Sequence, residues 1–171
     1  MSLLHQHRQF GRAISKRQSD DFARQRSRYV DIFSRTELRL SKLCLTLGLS
    51  NASNSVGQKI GELKSLKASP TMSKTKVKEL QYLCNTLSQQ TQIRNAIVHS
   101  TMTIGNKASQ DVAFFQKVND EANGNPIYFV MSFDDFAKAI ETITNISDLL
   151  DGFLNPPSSP PQPKPGAAGG L

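Results

Sequence analysis

The sequence has no apolar run that approaches the ~20 consecutive residues a membrane helix needs. Residues 1–18 are polar and basic, and they lack the apolar segment of a secretory signal. We therefore expect a cytoplasmic protein with no membrane attachment.

Cysteine is also scarce, since the chain contains only Cys44 and Cys84. Each falls on the apolar stripe of a predicted helix, where cysteine behaves as a small hydrophobic residue. Two cysteines in a cytoplasmic chain are more typical of free thiols than of a disulfide. No cysteines and histidines combine at the spacing of metal ligands. We expect no disulfide, no metal site and no cofactor.

Acidic residues are sparse in the first part of the chain. Residues 1–110 carry 18 Lys and Arg against 6 Asp and Glu, whereas residues 111–171 carry 3 against 8. This asymmetry favours a polyanionic partner, most simply nucleic acid, although a solvated basic surface has the same composition. The aromatic signature of RNA recognition motifs, which stack bases on a sheet, is missing.

The composition divides the chain into three regions. Residues 1–18 form an arm or a short helix, and residues 19–154 form a helical domain large enough to bury a core. Residues 155–171 are rich in proline and glycine, and they bury too little apolar surface to order themselves. We expect this last region to be a disordered tail.

Apolar residues at steps of three and four predict four helices within the domain. Capping and helix-breaking residues mark their ends. Serine and aspartate side chains accept hydrogen bonds from the free N–H groups at a helix start, and glycine tolerates the left-handed conformation that often follows a helix. The predicted helices cover residues 19–47, 56–66, 74–100 and 133–154. The expected end signals are Ser19 or Asp20, Gly48, Ser73 and a capping box of Ser132 with Asp135.

After Gly105 the apolar period changes to two, which is typical of strands. Residues 112–118 and 127–131 are β-branched or aromatic runs, and residues 119–125 between them favour a turn. The predicted fold class is therefore mainly α, an antiparallel four-to-five-helix bundle with a β-hairpin inserted before the last helix.

The third helix ends in the sequence Arg94-Asn95-Ala96-Ile97-Val98-His99. Arg94 falls on the apolar stripe, which is costly unless it faces a partner or a polar cleft. Asn95 and His99 are four residues apart and share one helix face. A cation beside a group that exchanges protons is suited to a phosphodiester.

These six residues resemble the Arg-polar-x-x-x-His signature of HEPN domains, the higher-eukaryote and prokaryote nucleotide-binding helical domains. The resemblance covers about residues 19–154, and its only specific motif is those six residues. It implies a metal-independent endoribonuclease that works as a homodimer, with two motifs facing a shared cleft. Many members of this family are toxins or defence components, which implies an antitoxin or another defence protein as a possible partner.

The resemblance also implies a role for each motif residue. Arg94 would neutralise the scissile phosphate, His99 would act as general base or acid, and Asn95 would orient the histidine or the phosphate. The roles suit the side chains, because histidine exchanges protons near neutral pH and arginine presents a fork of donors to phosphate.

Two features depart from the family pattern. Toxins paired with a nucleotidyltransferase antitoxin usually carry tyrosine two residues after the histidine, where this chain has Thr101. Many members also place an acidic residue near the site, and Glu62 and Glu79 are both candidates.

Two other functions fit the sequence. In the first, Arg94 and His99 only stabilise the end of the helix, and the chain is a non-catalytic dimerisation or nucleotide-binding module. In the second, the protein binds nucleic acid without sequence preference through a basic face of the first helix. The candidate nucleic-acid-binding residues on that face are Arg24, Arg28 and Arg35.

Overall fold

The computed structural model describes residues 15–49, 55–70, 72–117 and 128–155. The described chain is mainly helical, with four helices and a small three-stranded antiparallel sheet. The elements in chain order are α1 (Lys16–Thr46), α2 (Val56–Lys64), α3 (Lys74–Val98), β1 (Ser100–Lys107), β2 (Gln110–Lys117), β3 (Tyr128–Ser132) and α4 (Phe133–Leu154).

Capping residues define the ends of these helices. The predicted caps Ser73 and Ser132 are confirmed, and Gly48 follows α1 with a φ of +66°, the left-handed conformation that glycine adopts without strain. The predicted start of α1 at residue 19 or 20 is wrong. Ser15 caps this helix in a reciprocal capping box with Gln18, so α1 begins inside the predicted arm.

The sheet contains one strand more than the predicted hairpin. Strands β2 and β3 pair antiparallel from Val112 opposite Ser132 to Gln116 opposite Tyr128, as expected. Strand β1 occupies residues predicted as helix end and loop, and it pairs with β2 along its whole length. The predicted turn at 119–125, the first 14 residues and residues 156–171 lie outside the described residues.

Contacts between helices fix their directions. Arg26 near the start of α1 contacts Ile97 at the end of α3, whereas Cys44 near the end of α1 lies close to Cys84 in the first half of α3, so these two helices are antiparallel. Phe22 packs against Phe136 near the start of α4, whereas Arg39 further along α1 pairs with Asp151 near the end of α4. The predicted antiparallel arrangement is therefore wrong for α1 and α4, which run parallel because the sheet starts α4 beside the start of α1.

One core lies between the four helices and the inner face of the sheet. The centroid of the Phe115 ring of β2 lies 6.0 Å from that of Phe136 of α4 and 6.2 Å from that of Phe129 of β3. Phe133, which the periodicity predicts as buried, is 40% exposed, although its ring still meets Phe22 edge-on at 5.4 Å. This core holds the end of α3 against α1. None of the described helices combines the length and apolar content needed to cross a bilayer.

Candidate functional site

The Arg94–His99 motif spans the junction between α3 and β1. Helix α3 ends at Val98, His99 is its C-cap, and Ser100 begins the strand. The backbone N–H of His99 still donates to the carbonyl of Asn95, with 3.1 Å between nitrogen and oxygen. This hydrogen bond places the histidine one turn beyond Asn95, on the same face of the helix.

Arg94 continues the buried stripe of α3 but is itself half-buried. It lies between the buried residues Gln90 and Ile97, four and three positions away. Its guanidinium carbon lies 5.9 Å from the centroid of the Phe33 ring of α1, within the range of a cation–π contact. The aromatic face therefore offsets part of the cost of placing a cation beside the core.

A hydrogen bond joins the first two residues of the motif. Arg94 Nη1 donates to Asn95 Oδ1 at 3.2 Å. Since a guanidinium has five N–H donors, this bond leaves others for a ligand. The bond also directs the guanidinium towards the helix face that Asn95 shares with His99.

The His99 side chain is exposed, and no described residue forms a hydrogen bond or ion pair with it. It is open to solvent and is not part of the buried core. The motif therefore presents hydrogen-bond donors and a proton-exchanging imidazole at one end of a helix. Such a set suits a phosphate whose negative charge grows during reaction.

Two residues of α1 that the sequence analysis missed hold this end of α3 in place. Arg26 Nη2 donates to the carbonyl oxygen of Ile97 at 3.0 Å, and the Tyr29 hydroxyl lies 2.9 Å from the carbonyl oxygen of Gln90. Burial raises the pKa of Tyr29, and the nearby charge of Arg94 lowers it by less. The sequence held a signal for Arg26, because it fills the gap between Phe22 and Tyr29 in the apolar stripe of α1.

The two candidate acidic residues are remote from the motif. Glu79 is exposed on α3, fifteen residues before Arg94, which corresponds to about 22 Å along the helix. Glu62 lies on α2, beside Cys44 at the far end of α1. Neither carboxylate belongs to the site.

The basic residues Arg24, Arg28 and Arg35 line a second feature, an open groove between α1 and α4 with a volume of about 610 Å³. This α1/α4 groove lies on a different side of α1 from the motif. Phe33 is the ring that contacts Arg94. Arg35 follows Phe33 by two residues, which turns its side chain about 200° round the helix, to nearly the opposite side. The structure therefore brings Arg94, Asn95 and His99 together and brings the three α1 arginines together, but it does not join the two sets.

The cysteines are buried free thiols, as predicted. Burial raises the pKa of Cys84 to about 12 and also raises that of Cys44, so both stay protonated and inert near neutral pH. Among the described residues, no three His, Cys, Asp or Glu side chains cluster as a metal site would require.

In comparisons with known proteins, the chain matches no family model, no curated protein and no solved structure.

Proposed function

We propose that the chain is an HEPN-like, metal-independent endoribonuclease whose active site consists of Arg94, Asn95 and His99. The observation that carries this proposal is the hydrogen bond from Arg94 to Asn95 beside an exposed, unengaged His99. It links the guanidinium to the amide of Asn95, which shares an exposed helix face with His99. The similarity of the six-residue motif to the HEPN signature supports the same assignment.

The chemistry uses the nucleophile that RNA supplies. The 2′-hydroxyl oxygen attacks the adjacent phosphorus, the bond from phosphorus to the 5′ oxygen breaks, and a 2′,3′-cyclic phosphate and a 5′-hydroxyl result. His99 accepts the proton of the 2′-hydroxyl or donates one to the leaving oxygen. Arg94 stabilises the charge that grows on the phosphate, and Asn95 fixes the guanidinium.

A homodimer completes the proposal. Each chain carries one motif with a single histidine, whereas the reaction needs both a base and an acid. Two motifs facing one cleft would supply both groups. We further propose a toxin or defence role in the cytoplasm, with an antitoxin or another defence protein as partner, on the resemblance alone.

Purified protein incubated with single-stranded RNA in the presence of EDTA tests the proposal. Wild-type protein should cleave the RNA, and Arg94→Ala and His99→Ala should each abolish cleavage while circular dichroism and the unfolding transition remain those of a folded protein. Gln92→Ala is the matched control, since Gln92 is exposed on the same turn of α3 and outside the motif. Wild-type protein that leaves varied RNAs intact would overturn the proposal.

A second candidate function is a non-catalytic dimerisation or nucleotide-binding module. The contact of Arg94 with Phe33 favours it, because this contact gives the arginine a structural role without any ligand. The two functions differ at His99, which has no such contact with the described residues. In a module whose motif only stabilises the end of α3, losing His99 changes the free energy of unfolding alone, whereas the nuclease needs His99 for every turnover.

A further inference from the structure

The α1/α4 groove has the composition of an anion-binding surface. Guanidinium groups from four turns of α1 line the groove, together with hydroxyl and carboxylate groups and the apolar side chain of Ile32. The lining residues are Arg24, Ser27, Arg28, Asp31, Ile32, Arg35, Arg39, Thr144, Ser147 and Asp148.

The four arginines differ in how they are engaged. Arg24 is exposed and forms an ion pair with Asp21 of the same helix, with 3.8 Å between nitrogen and oxygen. Arg39 is fixed to α4, where it reaches Asp151 at 3.6 Å and hydrogen-bonds to Ser147. Arg28 and Arg35 are exposed, and neither pairs with a carboxylate among the described residues. Arg39 therefore acts as part of the wall, while Arg28 and Arg35 keep their donors for a ligand.

The spacing of these arginines requires a long ligand. Arg24 and Arg35 are eleven residues apart, which corresponds to about 16 Å along α1. Inorganic phosphate cannot contact both ends of such a row. A polymer with repeated phosphates can, because its charges run along the groove.

The remaining lining residues distinguish among polyanions. Among the described residues, no aromatic side chain lines the groove to stack bases, so the expected contacts are with sugar and phosphate. Asp148 pairs with Arg39 at 3.9 Å, so the carboxylate of Asp31 is the group that would repel a chain carrying only negative charge. A ribose 2′-hydroxyl, in contrast, can donate a hydrogen bond to a carboxylate, and this group distinguishes RNA from DNA.

We propose that the α1/α4 groove binds the sugar–phosphate backbone of RNA, with Arg28 and Arg35 contacting phosphates and Asp31 accepting from a 2′-hydroxyl. The groove lies on a different side of α1 from the one that faces Arg94. It would therefore hold a part of the RNA that is not being cleaved. Its binding does not depend on the proposed nuclease activity.

Fluorescence anisotropy with a labelled RNA of about 20 nucleotides tests the groove, in a His99→Ala background that prevents cleavage. Arg28→Ala with Arg35→Ala should weaken binding about tenfold at low salt. It should also make the slope of log K against log salt shallower by about 1.4, because each phosphate contact to a single strand contributes about 0.7. Lys74→Ala with Lys78→Ala is the control, since it removes the same charge from exposed positions at the start of α3.

The proposed role of the Asp31 carboxylate is tested separately. DNA of the same sequence should bind about tenfold more weakly than RNA, and Asp31→Ala should reduce this preference by strengthening DNA binding. Equal losses in the arginine and lysine pairs, equal affinity for RNA and DNA, or full displacement of RNA by equimolar triphosphate would each overturn the proposal. Loss of binding in the arginine pair supports the groove even if the wild-type protein cleaves nothing.

Discussion

Replacing Arg94 with alanine should weaken the fold only slightly while abolishing cleavage. The guanidinium lies 5.9 Å from the centroid of the Phe33 ring and is half-buried. A cation–π contact contributes about 0.5–1 kcal/mol at exposed sites and about 2 kcal/mol when desolvated. We expect a loss of about 1 kcal/mol for Arg94→Ala, between these limits.

Urea unfolding measures this loss directly. With a slope of about 2 kcal/mol per molar urea, 1 kcal/mol lowers the midpoint by about 0.5 M. A domain with a typical stability of about 5–15 kcal/mol remains folded after such a change. Lost cleavage in this variant therefore reflects lost chemistry.

A double-mutant cycle isolates the contact itself. Phe33→Leu removes the aromatic face but keeps an apolar side chain in the core, so the coupling between the two substitutions reports the cation–π contact. We expect a coupling free energy of about 0.5–1 kcal/mol, as for other residues in contact. Zero coupling, or unfolding of Arg94→Ala at room temperature, would refute this assignment of the arginine.

Four further predictions concern the scaffold. Ser132→Ala should cost about 1 kcal/mol, because it removes the N-cap of α4. Hydrogen bonds from Ser132 lower the pKa of Asp135. The ionised carboxylate therefore stabilises the folded state fully above the ordinary carboxyl pKa, and this contribution is lost as pH falls through the lowered pKa. Asp135→Asn should remove this part of the acid dependence of the free energy of unfolding, measured by urea titration. Cys44 and Cys84 should react with a thiol reagent far more slowly in native than in denatured protein, and equal rates would contradict their burial. Tyr29→Phe should cost about 1 kcal/mol in urea unfolding by removing a hydrogen bond to α3, with cleavage retained.

Local signals in the sequence were sufficient for much of the fold. The caps at Ser73 and Ser132, the break at Gly48 and the pairing of β2 with β3 depend on short-range chemistry that the residues themselves encode. The start of α1 is equally local, because Ser15 and Gln18 encode its capping box within four residues.

Other parts of the fold depend on contacts between distant residues. Strand β1 begins immediately after a helix in the sequence Ser-Thr-Met-Thr-Ile, and its neighbour β2 stabilises it as a strand. The turn between β1 and β2 places Ala108 and Ser109 at φ values of 51° and 68°. Glycine and asparagine are the usual residues at such positions, so the residue types here do not indicate a hairpin. The parallel direction of α1 and α4 likewise follows from how the sheet returns the chain.

The candidate site divides in the same way. That Arg94 falls on a buried stripe and His99 at the end of a helix follows from periodicity, and the structure places both there. The ring beneath Arg94 and the separation of the motif from the α1 arginines require the tertiary arrangement, since they depend on which face of α1 meets α3.

The most direct measurement compares two oligonucleotides of one sequence, one all RNA and the other 2′-deoxy throughout, incubated with wild-type protein in EDTA. We predict that only the RNA is cleaved, with 2′,3′-cyclic phosphate and 5′-hydroxyl ends, and that His99→Ala cleaves neither. Cleavage of the deoxy strand, or cleavage of RNA that persists in His99→Ala, would contradict the assignment of the motif as the active site.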